Sequence, residues 1–293
     1  PGVTASAPRA SAAAAAAHPG PVVAGTRNLS QFGCALLESP HTGAPRGLSL
    51  YYGSAAGGHV HYDRLSIELY AEGRSMMPDL GYPDQWGAKA QNFHQNSTAH
   101  YLVQIDDTGQ QTLARGRLHY LADLAAAQVV EASAEEAYPG LATTYRRTTA
   151  LVDTSPETFY LLDIFRVEGG TRHDWLFHGP PQPGFESAGL ELGPVRPGTL
   201  AGPEVGLGQA PAGSRRSGYE WLHSVREAAP SAAWSAIWPE VDGKAGLQMT
   251  LLPGCAQRVF IATADSPRIK AKGLPETLPW VVARREGGGL STF

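Results

Sequence analysis

Three polar residues alternate between residues 59 and 63, and they carry the strongest chemical signal in the sequence. His59, His61 and Asp63 stand at every second position, and Gly57 and Gly58 precede them. Residues two apart in a β-strand face the same side, so the spacing predicts that His59 and His61 project into one site. The two glycines allow a ligand or another strand to approach the backbone closely. Histidines on strands also serve as ordinary core or surface residues, so this spacing alone leaves both interpretations open.

Two further residues extend this pattern into a candidate metal site. Asp79 lies in a turn after the next predicted strand, and His100 opens the strand that follows. Two histidines and one carboxylate suit Zn²⁺, with water or another group in the fourth position. His94 competes with His100 as the third ligand from its position alone. Asp79 also has a simpler interpretation, because an aspartate in a Pro- and Gly-bearing turn can cap it through an Asx-type hydrogen bond.

The same segment permits an iron site as an alternative. His61 and Asp63 match the first half of the two-His, one-carboxylate triad of iron oxygenases, for which His119, His173 and His178 are candidate distal ligands. The sequence has no His-Glu-x-x-His, no Gly-x-Ser-x-Gly and no glycine-rich phosphate loop. These absences argue against a zinc protease, an α/β-hydrolase and a nucleotide-binding enzyme.

The composition restricts the elements that can position these residues. The chain has 293 residues with a formal charge of −4, which argues against phosphate-backbone recognition by clustered cations. No apolar run is long enough for a membrane span. The 34 Gly and 23 Pro lie in short clusters, as expected for a turn-rich fold. Cys34 and Cys255 are too few for a disulfide framework, and we interpret them as buried small side chains or as one long-range bridge.

Many short β-rich segments follow one another, and they predict a large antiparallel β-sandwich in an all-β chain. Predicted strands cover 32–38, 48–53, 65–70, 101–107, 143–152, 158–167, 175–178, 247–252 and 258–262, with a hairpin turn at 155–157. Residues 118–136 are Ala-rich and favour either a helix or a strand with a loop. The Pro- and Gly-rich stretch 180–220 is predicted to be a long surface excursion.

Residues 1–27 are predicted to be an Ala- and Pro-rich linker, and residues 28–293 to be the sandwich domain. We interpret 278–293 as a hairpin whose second strand is cut short, and the chain as a piece of a longer protein. Arg146 and Arg147 alternate in a predicted strand, and we expect them to be surface charges unless one faces a sugar carboxylate. His173 and His178 are expected to be structural.

The ordered set of segments resembles the C-terminal β-sandwich region of the heparinase II/III-like polysaccharide lyases. The resemblance runs from about residue 28 to the last residue, and no single motif in it is specific alone. The similar segments are Phe32–Ser39, Gly58–Ala71, Met77–Tyr82, Ser97–Asp107, Tyr160–Val167 and His173–His178. One departure is the Tyr101-Leu102 pair, which stands where the family usually has Asn-Thr after its histidine.

The resemblance implies a structural zinc ion held by His61, Asp79 and His100. His59 then corresponds to a residue that faces the substrate cleft, and we expect it to be the protein-side base or charge stabiliser. Such enzymes cleave uronic-acid polysaccharides by β-elimination, in which a base removes the proton beside a neutralised carboxylate. The remaining catalytic groups of the family come from an upstream α-helical toroid that this sequence does not include.

The expected partners are therefore an acidic polysaccharide or oligosaccharide and the toroid of the same protein. The full-length protein is expected to be periplasmic or secreted, and this chain alone to bind zinc with little or no activity. Two competing hypotheses remain: a non-catalytic, zinc-stapled domain that binds carbohydrate or packs on a partner, and the iron oxygenase based on His61 and Asp63.

Overall fold

The computed structural model describes residues 25–41, 44–53, 60–81, 93–111, 113–212, 217–266 and 275–293. The described part is built almost entirely of β-strands, with one α-helical turn at 93–95 and three 3₁₀ turns. The strands in chain order are β1 (Arg27–Leu29), β2 (Cys34–Glu38), β3 (Gly47–Tyr51), β4 (Ser66–Ala71), β5 (Arg74–Met77), β6 (Val103–Ile105), β7 (Arg117–Asp123), β8 (Ala127–Ser133), β9 (Thr144–Asp153), β10 (Phe159–Glu168), β11 (Arg172–His178), β12 (Glu186–Ala188), β13 (His223–Ala228), β14 (Trp234–Trp238), β15 (Leu247–Leu251), β16 (Arg258–Asp265), β17 (Thr277–Glu286) and β18 (Ser291–Thr292). The predicted all-β, antiparallel sandwich class is confirmed.

The strands form four antiparallel sheets. Sheet I has the order β1-β2-β3-β4-β5, and sheet II has the order β18-β10-β9-β8-β7. Sheet III has the order β13-β16-β17-β11-β6, and sheet IV has the order β12-β14-β15. One hydrophobic core connects residues of all four sheets, and its largest fully buried side chains include Trp234, Trp238 and Trp280.

Sheet II shows how the local sequence produces its strands. β9 is rich in β-branched residues and alternates strictly between half-buried and buried positions, as a strand with one face on a core must. The turn at residues 155–157 is confirmed, because the Ser155 hydroxyl accepts hydrogen bonds from the backbone N–H groups of Glu157 and Thr158. β9 and β10 then pair along their whole length.

The Ala-rich stretch 118–136 is the hairpin of β7 and β8, so its strand interpretation is confirmed. Alanine favours a helix by intrinsic propensity, but β8 pairs with β9 on its other side, and this tertiary pairing determines the local conformation. A bulge between Leu118 and Tyr120 bends the outer strand. The described residues of the stretch 180–220, which exclude 213–216, are mainly loop, and they contain β12 and the first residues of a 3₁₀ turn at Tyr219–Trp221.

The last two strands of the chain lie in different sheets. The predicted hairpin at 278–293 is wrong, because β17 pairs with β16 and β11 in sheet III, whereas β18 pairs with β10 in sheet II. The chain therefore changes sheets between these two strands.

Cys34 and Cys255 are both free thiols, so the long-range bridge is excluded, and Cys34 is buried as a small side chain.

Candidate metal centre

Three chain segments that are distant in sequence converge at one end of sheet I. The first is the turn that precedes β4, which carries His61 and Asp63. Residues 60–65 do not form a strand, so the predicted strand position of His61 is wrong, although His61 and Asp63 reach the same cluster. His59 lies outside the described residues, so its role stays a prediction.

Asp79 comes from the loop that follows β5. Its Oδ1 accepts a hydrogen bond from the Gly81 N–H at 2.5 Å, which is the Asx-type turn expected for this position. Its Oδ2 points the other way, toward His61 and His100. The two interpretations of Asp79 are therefore compatible, because one oxygen caps the turn and the other faces the histidines.

His100 follows the 3₁₀ turn at Ser97–Ala99 and is buried. It does not open a strand, since β6 begins three residues later at Val103. Its backbone N–H donates to the Ser97 carbonyl, which closes the turn. The Nε2 atom of His100 has no hydrogen-bond partner among the described residues, an unusual state for a buried polar atom.

The distances between these side chains fit a bound divalent cation. His100 Nδ1 lies 3.1 Å from Asp79 Oδ2, and His61 Nδ1 lies 3.7 Å from the same oxygen. Ligands that stand about 2.0–2.1 Å from a tetrahedral zinc ion are about 3.3 Å from one another. One ligand atom each from His61, Asp63, Asp79 and His100 can be chosen so that all four lie within 4.8 Å of one another. The donor set and spacing fit a divalent cation such as zinc.

The electrostatics of the cluster favour a positive charge beside Asp79. Burial alone would raise the pKa of Asp79, but its hydrogen bonds with His100 and His61 outweigh burial and hold that pKa far below its usual range. Burial likewise acts to lower the pKa of His100, yet the contact with Asp79 reverses the effect and raises it. The carboxylate is therefore ionised and needs a cationic neighbour, which is either a protonated imidazole or a metal ion.

Asp63 is a member of this cluster that the zinc hypothesis did not include. Its Oδ1 accepts a hydrogen bond from the buried Arg64 guanidinium at 2.9 Å. Arg64 also donates to the carbonyls of Ala114 and His61, so it ties the turn to neighbouring backbone. Sequence reasoning named Asp63 only for the iron alternative, and its spacing from His61 was the available signal.

The other histidines named from the sequence lie elsewhere. His119 contacts the Ser133 hydroxyl on sheet II, and His173 contacts Ser291 and the Gly169 carbonyl. His178 is fully buried and contacts the Tyr101 hydroxyl. None of these three belongs to the cluster found among the described residues, so the iron hypothesis loses its proposed distal ligands.

His94 is buried close to the cluster without belonging to it. Neither of its ring nitrogens has a hydrogen-bond partner within the described segments. Burial lowers its pKa to about 4, and nearby Asp79 only partly opposes this effect. His94 is therefore neutral at pH 7.

Arg147 was expected to be a surface charge, and this expectation is wrong. Its side chain is completely buried and forms an ion pair with Asp163, whereas the neighbouring Arg146 is half-exposed and pairs with Glu131. Strand alternation alone predicted that the two would face opposite sides. It did not predict which one would be buried.

Comparisons with known proteins place this geometry in a family. Residues 32–240, more than half of the chain, match the family model for the heparinase II/III-like C-terminal domain. Among curated proteins, no sequence shows significant similarity to the chain. None of the helical segments in the described part has the length and hydrophobicity of a membrane-spanning helix.

Solved structures agree with the family match. The chain resembles the heparan sulfate lyase HepC from Pedobacter heparinus with a TM-score of 0.56 and 13% identity, covering 92% of this chain and 35% of that one. A heparinase III gene product is similar with a TM-score of 0.58 and 11% identity, with the same coverage of 92% and 35%. The chain thus spans about a third of the length of these structures, and the likeness at such identities concerns the fold. The chain belongs to the heparinase II/III-like family and carries its C-terminal β-sandwich domain.

Proposed function

We propose that this chain is the β-sandwich part of a polysaccharide lyase that cleaves uronic-acid-containing glycans by β-elimination, and that it holds a structural zinc ion. The observation that carries the proposal is the convergence of His61, Asp79 and His100 within a family whose similar structures include a heparan sulfate lyase. A sulfated uronan of the heparan type is therefore the first substrate class to test.

In this proposal the zinc ion supplies a fixed positive charge that holds three segments together. His61 and His100 contribute imidazole nitrogens, and Asp79 contributes its Oδ2 oxygen. Asp63 stays with Arg64 at the edge of the cluster. Both imidazoles are buried and Asp79 is only partly exposed, and this shielding from solvent is our reason to assign the ion a structural role. The fourth position is left to a group other than these three ligands.

The chemical step depends on residues that the metal site would position. In the proposal, His59 stands two residues before the ligand His61 and acts as the base or as a donor to the developing charge. A base must remove the proton beside the uronate carboxylate, and an acid must protonate the leaving glycosidic oxygen. We assign the acid to the helical toroid of the full-length enzyme, which we also propose to be periplasmic or secreted.

The test uses a form of the protein that contains the toroid, incubated with heparan sulfate, alginate and other uronate polymers. The expected result is a rise in ultraviolet absorbance from the unsaturated uronate product, with a large loss in the His59→Ala variant. A zinc-replete protein that produces no such absorbance on any uronate polymer would instead favour the non-catalytic, zinc-stapled domain.

A further inference from the structure

A buried ion pair on sheet II reaches the two segments that carry the candidate metal ligands. Arg147 on β9 donates from Nε to Asp163 Oδ1 at 2.7 Å and from Nη2 to Asp163 Oδ2 at 2.6 Å. The guanidinium carbon also lies 5.1 Å from the centre of the Phe165 ring. Two of the three guanidinium nitrogens are thus fixed within the sheet, which leaves Nη1 to reach out of it.

Nη1 of Arg147 makes the bonds that matter for the site. It donates to the Leu65 carbonyl at 2.6 Å and also to the Tyr101 carbonyl. Leu65 ends the turn that carries His61 and Asp63, and Tyr101 directly follows His100. One nitrogen therefore joins two backbone segments that lie far apart in the sequence.

The backbone at the first of these contacts has an unusual conformation. Leu65 has φ +65°, in the left-handed region that non-glycine residues rarely adopt. Its N–H donates to the Tyr51 carbonyl at 2.7 Å, and its own carbonyl accepts from Arg147. Such a conformation persists only where the surrounding contacts determine it, so Arg147 helps to hold the turn in the shape that directs His61 toward Asp79.

We propose that Arg147 is a positioning residue for the metal site, with Asp163 fixing the guanidinium and Nη1 setting the spacing between the His61 and His100 segments. This inference rests on the proposed metal site. It goes beyond that site because Arg147 lies on sheet II, whereas the three ligands lie in turns and loops, and its hydrogen bonds among the described residues go to Asp163 and to two backbone carbonyls. A lysine at this position has no planar fork, so it cannot bond both Asp163 oxygens and both carbonyls together.

The test compares Arg147→Lys with Arg284→Lys. Arg284 is a matched control, because it is also buried and also forms two parallel bonds, of 2.7 Å each, to one carboxylate, Asp174. Zinc affinity is measured by competition with a chromogenic chelator, and stability by urea unfolding of the metal-free proteins. The visible spectrum of the cobalt-substituted proteins reports the ligand geometry.

We expect both variants to be less stable, but only Arg147→Lys to lose zinc affinity, by about 10–100-fold as for other outer-sphere groups that orient ligands. Its cobalt spectrum should also differ from that of the wild type. An Arg147→Lys affinity within twofold of the wild type, or an equal loss in Arg284→Lys, would overturn the inference. Failure of the wild-type chain to bind zinc would instead remove the proposed site itself.

If Arg147→Lys does not fold, Asp163→Asn provides the second test, because it retains the side-chain shape while weakening the anchor of the guanidinium. The same loss of zinc affinity is expected in this variant. A folded Asp163→Asn protein with wild-type affinity and an unchanged cobalt spectrum would contradict the positioning role.

Discussion

Two clusters of charged side chains in this molecule differ in whether protein residues supply all of their hydrogen-bond and charge partners. In the first, Asp174 receives two bonds from Arg284 and one from the Tyr219 hydroxyl at 2.5 Å, so both carboxylate oxygens are used. In the second, one oxygen of Asp79 faces the imidazoles of both His61 and His100. His100 also keeps a buried nitrogen without a partner among the described residues.

The difference separates a structural ion pair from a candidate ligand site. The Asp174 cluster balances its charge with a permanent cation, since a guanidinium stays protonated at any relevant pH. The Asp79 cluster can obtain its positive charge either from protons or from a metal ion, because neutral imidazole is also a metal ligand. We therefore expect the first cluster to determine folding stability and the second to make stability depend on zinc.

The largest effect is expected from Asp174→Ala, which leaves Arg284 buried without its carboxylate. Removing one partner of a buried pair costs about 3–5 kcal/mol in the free energy of unfolding. Urea unfolding measures this loss, and zinc affinity should stay at the wild-type value. Asp174→Asn, which keeps one acceptor oxygen for Arg284, should lose less stability. A drop in zinc affinity in either variant would show that the two clusters are not independent.

A smaller and conditional effect is expected from His61→Ala. A zinc ion that binds the folded chain but not the unfolded chain raises the free energy of unfolding. The gain is about 2.7 kcal/mol when free zinc is 100 times the dissociation constant. The variant should therefore lose bound zinc and melt at a lower temperature than the zinc-loaded wild type. Addition of a chelator should lower the melting temperature of the wild type much more than that of the variant. Unchanged zinc content in His61→Ala would refute the ligand assignment.

The effect that is smallest at pH 7 concerns His178, and it develops only as the pH is lowered. Burial lowers the pKa of His178 from 6.5 to about 3, although its contacts with the Gly179 and Ala99 carbonyls act to raise it. The unfolded chain therefore binds a proton that the folded chain excludes, and stability falls as the pH drops from about 6.5 toward 3. Metal-free His178→Asn protein should show a flatter decline over this range in urea unfolding. An equal slope in both proteins would contradict the assigned pKa shift.

The sequence predicted the strands better than it predicted the connections between them. The β-rich composition of 143–152 and 158–167 and the Ser155 turn indicated β9, β10 and their hairpin, because both signals are local. β14 was missed although it contains Trp234 and Trp238, since a short apolar run carries no distinctive period. The change of sheets between β17 and β18 depends on pairing with strands more than a hundred residues away in sequence, which no local signal encodes.

The candidate site shows the same limit. The residue types and the family resemblance named His61, Asp79 and His100, and the structure brings these three together. The two histidine ligands were expected on strands, which is wrong. His61 projects from a turn whose shape depends on distant hydrogen bonds, and His100 precedes β6. Arg147 was expected to be a surface charge. Its burial and its bonds to the Leu65 and Tyr101 carbonyls result from the packing of sheet II against this turn, and the local sequence does not encode that packing.

The most direct test of the account is the zinc content of the purified 293-residue chain and of its Asp79→Asn variant, measured by elemental analysis after dialysis against a metal-free buffer. Asparagine keeps an oxygen that can cap the turn, but it removes the negative charge that the two imidazoles face. We predict close to one zinc ion per chain in the wild type and far less in the variant. Equal zinc in both proteins, or none in the wild type, would contradict a metal centre at His61, Asp79 and His100.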